Sequence, residues 1–232
     1  MTGGLVETLG IGDRDLVAFV GGGGKSRLAL GAGRELADTG HRVTVTTTTK
    51  MGTDQLPAWA TVCRDAAGVT ATLDAGSPAF LLGSIAGSKV IGVAPAVVDA
   101  VFASTDATVL VEADGARRRP FKAPGPDEPV IPAATTLVVI VAGIDAVGGP
   151  IGVVCHRPER VSALTGRSGS DVLRPEDMAM VLTHSKGGLK GVPPGARTLV
   201  ALTKVGPTGR ADADRVRLLL GERLPVVTIP LV

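Results

Sequence analysis

The chain has 232 residues, 44% of them hydrophobic, enough for one α/β domain with a substantial core, and its formal net charge is +2. That near-balance, with aromatics at 2% and no tyrosine, argues against a nucleic-acid binder, which needs a basic face or a stacking platform. No run approaches the ~18 apolar residues of a membrane span, the first residues lack the basic start and apolar stretch of a secretory signal, and two isolated cysteines, Cys63 and Cys155, make neither a disulfide framework nor a zinc site; a reducing cytoplasm is the expected home.

Residues 16–20, Leu-Val-Ala-Phe-Val, read as a buried parallel strand. The run breaks into Gly21, Gly22, Gly23 and Gly24, followed by Lys25 and Ser26, and 27–37 reads as a helix. Strand, glycine loop, Lys-Ser and helix in that order are the parts of a phosphate-binding loop. Glycines let successive backbone N–H groups curl around an anion, and the helix N-terminus adds partial positive charge behind them. Lys25 then reaches the outer phosphates of ATP or GTP, and the Ser26 hydroxyl holds Mg²⁺. The standard G-x-x-x-x-G-K-[ST] pattern needs a glycine where Phe19 stands. The shorter G-x-x-G-K-S of residues 21–26 resembles the loop of Mur-type ligases.

A second strand is predicted at 42–46, ending in the hydroxyl-rich tip Thr46-Thr47-Thr48-Thr49-Lys50. Thr48 and Thr49 are candidates to meet Mg²⁺ or a phosphate oxygen, although threonine also simply favours strands. Beyond it the pattern predicts a short strand at 61–64, a helix at 65–74, a hairpin of 79–83 with 89–93 around Gly87, and a helix at 95–103 with Pro95 in its first turn. The strand at 108–111 runs into Glu112-Ala113-Asp114-Gly115, and a Pro- and Arg-rich loop fills 116–132. Residues 136–142 form the most apolar strand, expected to be central. A mostly helical 153–190 reads as a small cap on the sheet edge; a strand at 198–202, a helix at 212–222 and a strand at 226–229 complete the chain. The alternation predicts an α/β, P-loop NTPase-like, mostly parallel sheet flanked by helices in a single domain over 1–232.

In such sheets ligands sit outside the carboxyl ends of the strands. The glycine loop, the threonine tip, Glu112–Gly115 and the turn Thr203-Lys204-Val205-Gly206 all fall at such ends. Glu112 and Asp114, two apart in extended chain, face the same way; one is expected to hold Mg²⁺ with Ser26, the other to orient an attacking water. Lys25, Glu112 and Asp114 are thus the expected catalytic groups. Arg117, Arg118, Arg119 and Lys122 form a basic loop suited to grip a bound anion. Thr203-Lys204-Val205-Gly206 stands where GTP-binding proteins carry Asn-Lys-x-Asp; Lys204 supplies the stem that packs on a base, but Thr203 and Gly206 replace the residues that select guanine. His156-Arg157-Pro158-Glu159-Arg160 reads as a helix start with a structural or partner-contact role, since no further soft ligand accompanies Cys155 and His156.

Four segments together resemble the selenium-dependent hydroxylase accessory proteins of the YqeC type. They are residues 19–26, 46–51, 111–117 with Phe121-Lys122-Ala123-Pro124, and 156–161 with Leu164-Thr165-Gly166. The resemblance implies a nucleotide-binding helper in the maturation of a molybdenum hydroxylase that carries selenium, with that enzyme or its maturation machinery as partner. A phosphotransferase or Mur-like ligase acting on a small acid or pterin-type substrate, and a non-catalytic nucleotide-binding module, are the alternatives.

Overall fold

The computed structural model describes residues 4–230. Its frame is an eight-stranded sheet: β1 (Leu16–Gly21), β2 (Val43–Thr47), β3 (Thr61–Cys63), β4 (Ala79–Leu81), β5 (Thr108–Glu112), β6 (Leu137–Gly143), β7 (Arg197–Val205) and β8 (Val226–Pro230), in the order β8-β7-β6-β1-β5-β2-β4-β3. Every neighbouring pair is parallel. The long apolar runs become the inner strands because a parallel sheet is covered on both faces. All residues of β5 and β6 are buried.

One face carries Val17, Phe19, Leu110 and Val139 against Leu28, Ala29, Ala32 and Leu36 of α2 (Lys25–Asp38), with α1 (Leu5–Thr8) beside it. The opposite face carries Ala18, Val20, Val111 and Ile140. It is covered by α3 (Ala66–Asp74), α4 (Pro95–Ser104), α5 (Ile151–Val154), α6 (Pro158–Thr165), α7 (Pro175–Thr183) and α8 (Arg210–Leu220). Asp65 caps α3 by accepting from Gly68 N at 2.8 Å, while α4, α6 and α7 each begin with proline.

Two sequence expectations change here. Residues 79–81 join the central sheet beside β2 (Thr44↔Ala79), and the hairpin is instead Ser84–Ala86 with Lys89–Ile91, to which Lys50–Gly52 adds a third antiparallel strand. The apolar run at 79–82 is buried throughout, so it stays in the core and leaves the exposed 84–89 to turn. The segment expected as an edge cap is part of the core layer: Val161, Leu173, Met178 and Val181 pack into the cluster that holds Ile140.

Register aligns the strand ends into one rim. Glu112 lies opposite both Phe19 and Thr47, Gly21 opposite Val141, and Gly143 opposite Thr203.

Candidate functional site

Gly21, Gly23 and Gly24 have φ of 96°, 91° and 130°, conformations that suit glycine. The loop is also wedged. A Cβ at Gly21 would lie 2.3 Å from Val141 O, and one at Gly23 2.4 Å from Gly143 N. Gly22 N donates to Val141 O at 2.9 Å, and Thr203 Oγ1 donates to Gly23 O at 2.6 Å. Thr203 therefore buttresses the loop from the neighbouring strand end. The turn delivers Lys25 and Ser26 as the first residues of α2.

Lys25 is almost fully buried. Its Nζ donates to Gly21 O at 2.6 Å and sits 3.1 Å from Asp114 Oδ1 and 3.9 Å from Glu112 Oε1. Both predicted acids thus converge on the loop lysine, but they do different things. Glu112 Oε2 accepts from Ser26 Oγ at 2.6 Å and lines the open cleft. Asp114, 1% exposed, lies behind the loop: its Oδ2 accepts from Gly21 N at 3.0 Å and pairs with Lys122 Nζ at 3.0 Å, and it does not line the cleft. The hydroxyl–carboxylate pair is Ser26 with Glu112. Burial pushes the Glu112 carboxyl above its ordinary range, against the pull of Lys25 and the Ser26 bond.

Lys122 was expected beside Arg117 in an anion-gripping loop. It instead lies buried in a short strand, Phe121–Lys122, paired in parallel with Cys155–His156. Three acceptors hold its Nζ: Gly115 O at 2.6 Å, Glu128 Oε2 at 2.7 Å and Asp114 Oδ2. Glu128 Oε1 in turn takes Arg157 Nη2 at 2.9 Å. Lys25, Asp114, Lys122, Glu128 and Arg157 form one chain of alternating charge running from the glycine loop to the start of α6. Burial would push the Glu128 carboxyl up, but hydrogen bonds from Lys122 and Arg157 outweigh it and bring it down to about 2. Burial, with the charges of Lys122 and Arg157, lowers the His156 imidazole, so it is neutral at pH 7.

Lys25, Ser26, Glu112, Glu128, His156 and Arg157 border an open cleft of about 820 Å³ along the strand ends. All four predicted strand-end stretches reach it, through Lys25 and Ser26, Thr49 and Lys50, Glu112 and Gly115, and Lys204. Thr48 does not; its hydroxyl is spent on Val130 O at 2.7 Å. Arg117 lines the wall, and Lys204 does so while paired with Asp145 at 2.8 Å. Sequence reasoning passed over Glu128, Lys89 and Arg27 and gave Arg157 no ligand role, yet all four line the cleft. Glu128 had no pattern to betray it, whereas Arg157 lay in a segment already singled out. The lining holds nine Lys or Arg residues against two carboxylates, Glu112 and Glu128, so the cleft as a whole attracts anions. Among the described residues no cluster of three or more His, Cys, Asp or Glu could hold a metal by itself.

A model of the YqeC protein family matches residues 17–159, more than half of the chain. The chain belongs to the YqeC family. The Escherichia coli (strain K12) "Uncharacterized protein YqeC" is 33% identical over 201 residues, which cover 83% of this chain and 77% of that protein. No solved structure matches. The YqeC match takes in the glycine loop, both acids, the arginine run and Arg157, and stops short of Thr203 and Lys204. No described helix is long and apolar enough to cross a membrane.

Proposed function

We propose that this YqeC-family chain binds a nucleoside triphosphate with Mg²⁺ in the cleft and hydrolyses it slowly, as a helper in maturing a selenium-dependent molybdenum hydroxylase. The observation that carries the nucleotide reading is the loop. Its glycines pass directly into the N-terminus of α2, with Lys25 and the Ser26–Glu112 pair at the base of a strongly basic cleft. Ser26 Oγ and one Glu112 oxygen are hard donors of the kind Mg²⁺ takes alongside phosphate oxygens and water, so this donor set fits the ion. When bound, Mg²⁺ would neutralise charge developing on the phosphates.

In this reading Lys25 leaves Gly21 O for the phosphates. Asp114 stays behind to hold the Gly21 N–H and the lysine stem in place; it positions the loop and touches no ligand. Hydrolysis passes the γ-phosphoryl group to water and releases nucleoside diphosphate and phosphate, with Thr49 the hydroxyl best placed on the cleft wall to orient that water. The maturation role rests on the family resemblance. Deleting the chain from its host should lower molybdenum hydroxylase activity, and Lys25→Met should fail to restore it.

The direct test is phosphate release from ATP and GTP with and without Mg²⁺. Slow Mg²⁺-dependent release, abolished by Lys25→Met, is expected. Release that ignores Mg²⁺ and survives Lys25→Met would refute the reading. The excess of cations in the cleft favours the phosphotransferase alternative as runner-up, and a dependence of turnover on an added acceptor would decide for it.

A further inference from the structure

Five non-glycine residues adopt left-handed backbone: Arg14, Arg117, Arg118, Arg157 and Lys204, with φ of 58°, 47°, 60°, 59° and 59°. All are basic, and the last four line this cleft. Glycine takes that conformation without strain, whereas a long β-carbon side chain does not. Residues held there collect at ligand clamps, and of these four Arg157 and Lys204 are tied to Glu128 and Asp145. Arg117 has no partner among the described residues, and Arg118 reaches only the exposed Asp54 at 3.2 Å.

The nucleotide does not account for all of that charge. Lys25 is one of nine Lys or Arg residues in the lining, and a magnesium triphosphate carries only about two net negative charges. Arg117, Arg157 and His156 line the same cleft together: His156 feels the charges of both arginines, and Arg157 is clamped by Glu128 at 2.9 Å. Arg157 also keeps a buried Nε–H with no hydrogen-bond partner.

We infer that the cleft holds a second anion beside the nucleotide, a phosphomonoester, bound by the left-handed arginines Arg117, Arg118 and Arg157 with His156. The inference rests on the nucleotide reading only for the identity of the first ligand. Guanidinium forks match the phosphate oxygens two at a time, and the neutral imidazole supplies a further hydrogen bond. The 820 Å³ of the cleft leaves room for both ligands.

The test uses ribose 5-phosphate and phenyl phosphate as probes, titrated calorimetrically into the full chain, first alone and then saturated with a non-hydrolysable ATP analogue and Mg²⁺. Both probes should bind wild type in both states, and ribose without phosphate should not. The Arg117→Gly, Arg118→Gly double variant should melt no lower than wild type, since glycine relieves the backbone, while probe affinity falls at least tenfold. Lys25→Met should lose the nucleotide and keep the probes. Probe binding to Lys25→Met without any nucleotide binding by wild type would sink the nucleotide reading and leave this one standing. Displacement of the probes by the ATP analogue, absence of probe binding to wild type, or a lowered melting temperature with unchanged probe affinity in the double variant would each overturn it.

Discussion

Lys122→Met cuts the buried charge chain at its centre while keeping the bulk of the side chain. Removing one member of a buried ion pair costs about 3–5 kcal/mol. Here both carboxylates keep a second partner: Asp114 retains Lys25 at 3.1 Å and Gly21 N at 3.0 Å, and Glu128 retains Arg157 at 2.9 Å. The low end of the range applies, about 3 kcal/mol, which in a chain of this size lowers the melting temperature by roughly 6–12 °C. The pH dependence supplies a second readout. Glu128 falls from an ordinary 4.5 to about 2, so the stability it contributes is fully present above 4.5 and is lost as pH drops towards 2. With the Glu128 side chain 19% exposed, solvent screening trims that contribution to about 1–2 kcal/mol. Urea unfolding of wild type should therefore show a midpoint that falls between pH 5 and 2.5, and Lys122→Met should show a shallower fall. A loss below about 1 kcal/mol at pH 7.5, or an unchanged acid slope, would refute the view that Lys122 holds the two carboxylates together.

The remaining predictions probe the rim and the core. Glu112 has the opposite sign to Glu128: its folded carboxyl is raised, so its ionisation weakens the fold as pH climbs above the ordinary 4.5. Glu112→Gln should therefore raise the urea midpoint at pH 7.5, while nucleotide binding loses its response to Mg²⁺. Thr203→Val removes the 2.6 Å bond to Gly23 O and should cost about 1 kcal/mol, with nucleotide affinity falling several-fold by calorimetry. Burial lifts the Cys155 thiol to about 12, and Cys63 is buried too, so a thiol reagent at pH 8 should label neither in the native protein and both in urea.

Much of the fold was legible because its signals are local. An apolar strand breaking into glycines and Lys-Ser names β1, the loop and α2 within a few residues, and proline marks the starts of α4 and α6. The rim was legible for a topological reason, since parallel strands bring all their carboxyl ends to one edge. What stayed hidden depends on long-range placement. Residues 79–82 are one apolar run, and sequence does not say whether it turns back as a hairpin or enters the sheet beside β2. Alternation predicted that Glu112 and Asp114 would face the same way, and both do meet Lys25. It could not show that Gly21 N would claim Asp114 and leave Glu112 to face the cleft. Lys122 and Arg118 look alike in a basic run, yet one is buried and the other exposed, because Gly115 O, Asp114 and Glu128 converge on the Lys122 ammonium while Arg118 meets only the exposed Asp54. Glu128 sits in a Pro-rich loop with no periodicity, and only its neighbours across the fold give it a role.

The central claim is that the cleft-lining part of the loop, residues 23–26, holds a polyphosphate with Mg²⁺ on Ser26 and Glu112. Calorimetry of the magnesium–ATP and magnesium–GTP complexes against wild type, Ser26→Ala and Lys25→Met tests it most directly. Saturable binding to wild type at one site, weakened at least tenfold by Ser26→Ala in Mg²⁺ but unchanged by that substitution in EDTA, is the predicted result. Equal binding by all three proteins would contradict it, as would no binding by wild type.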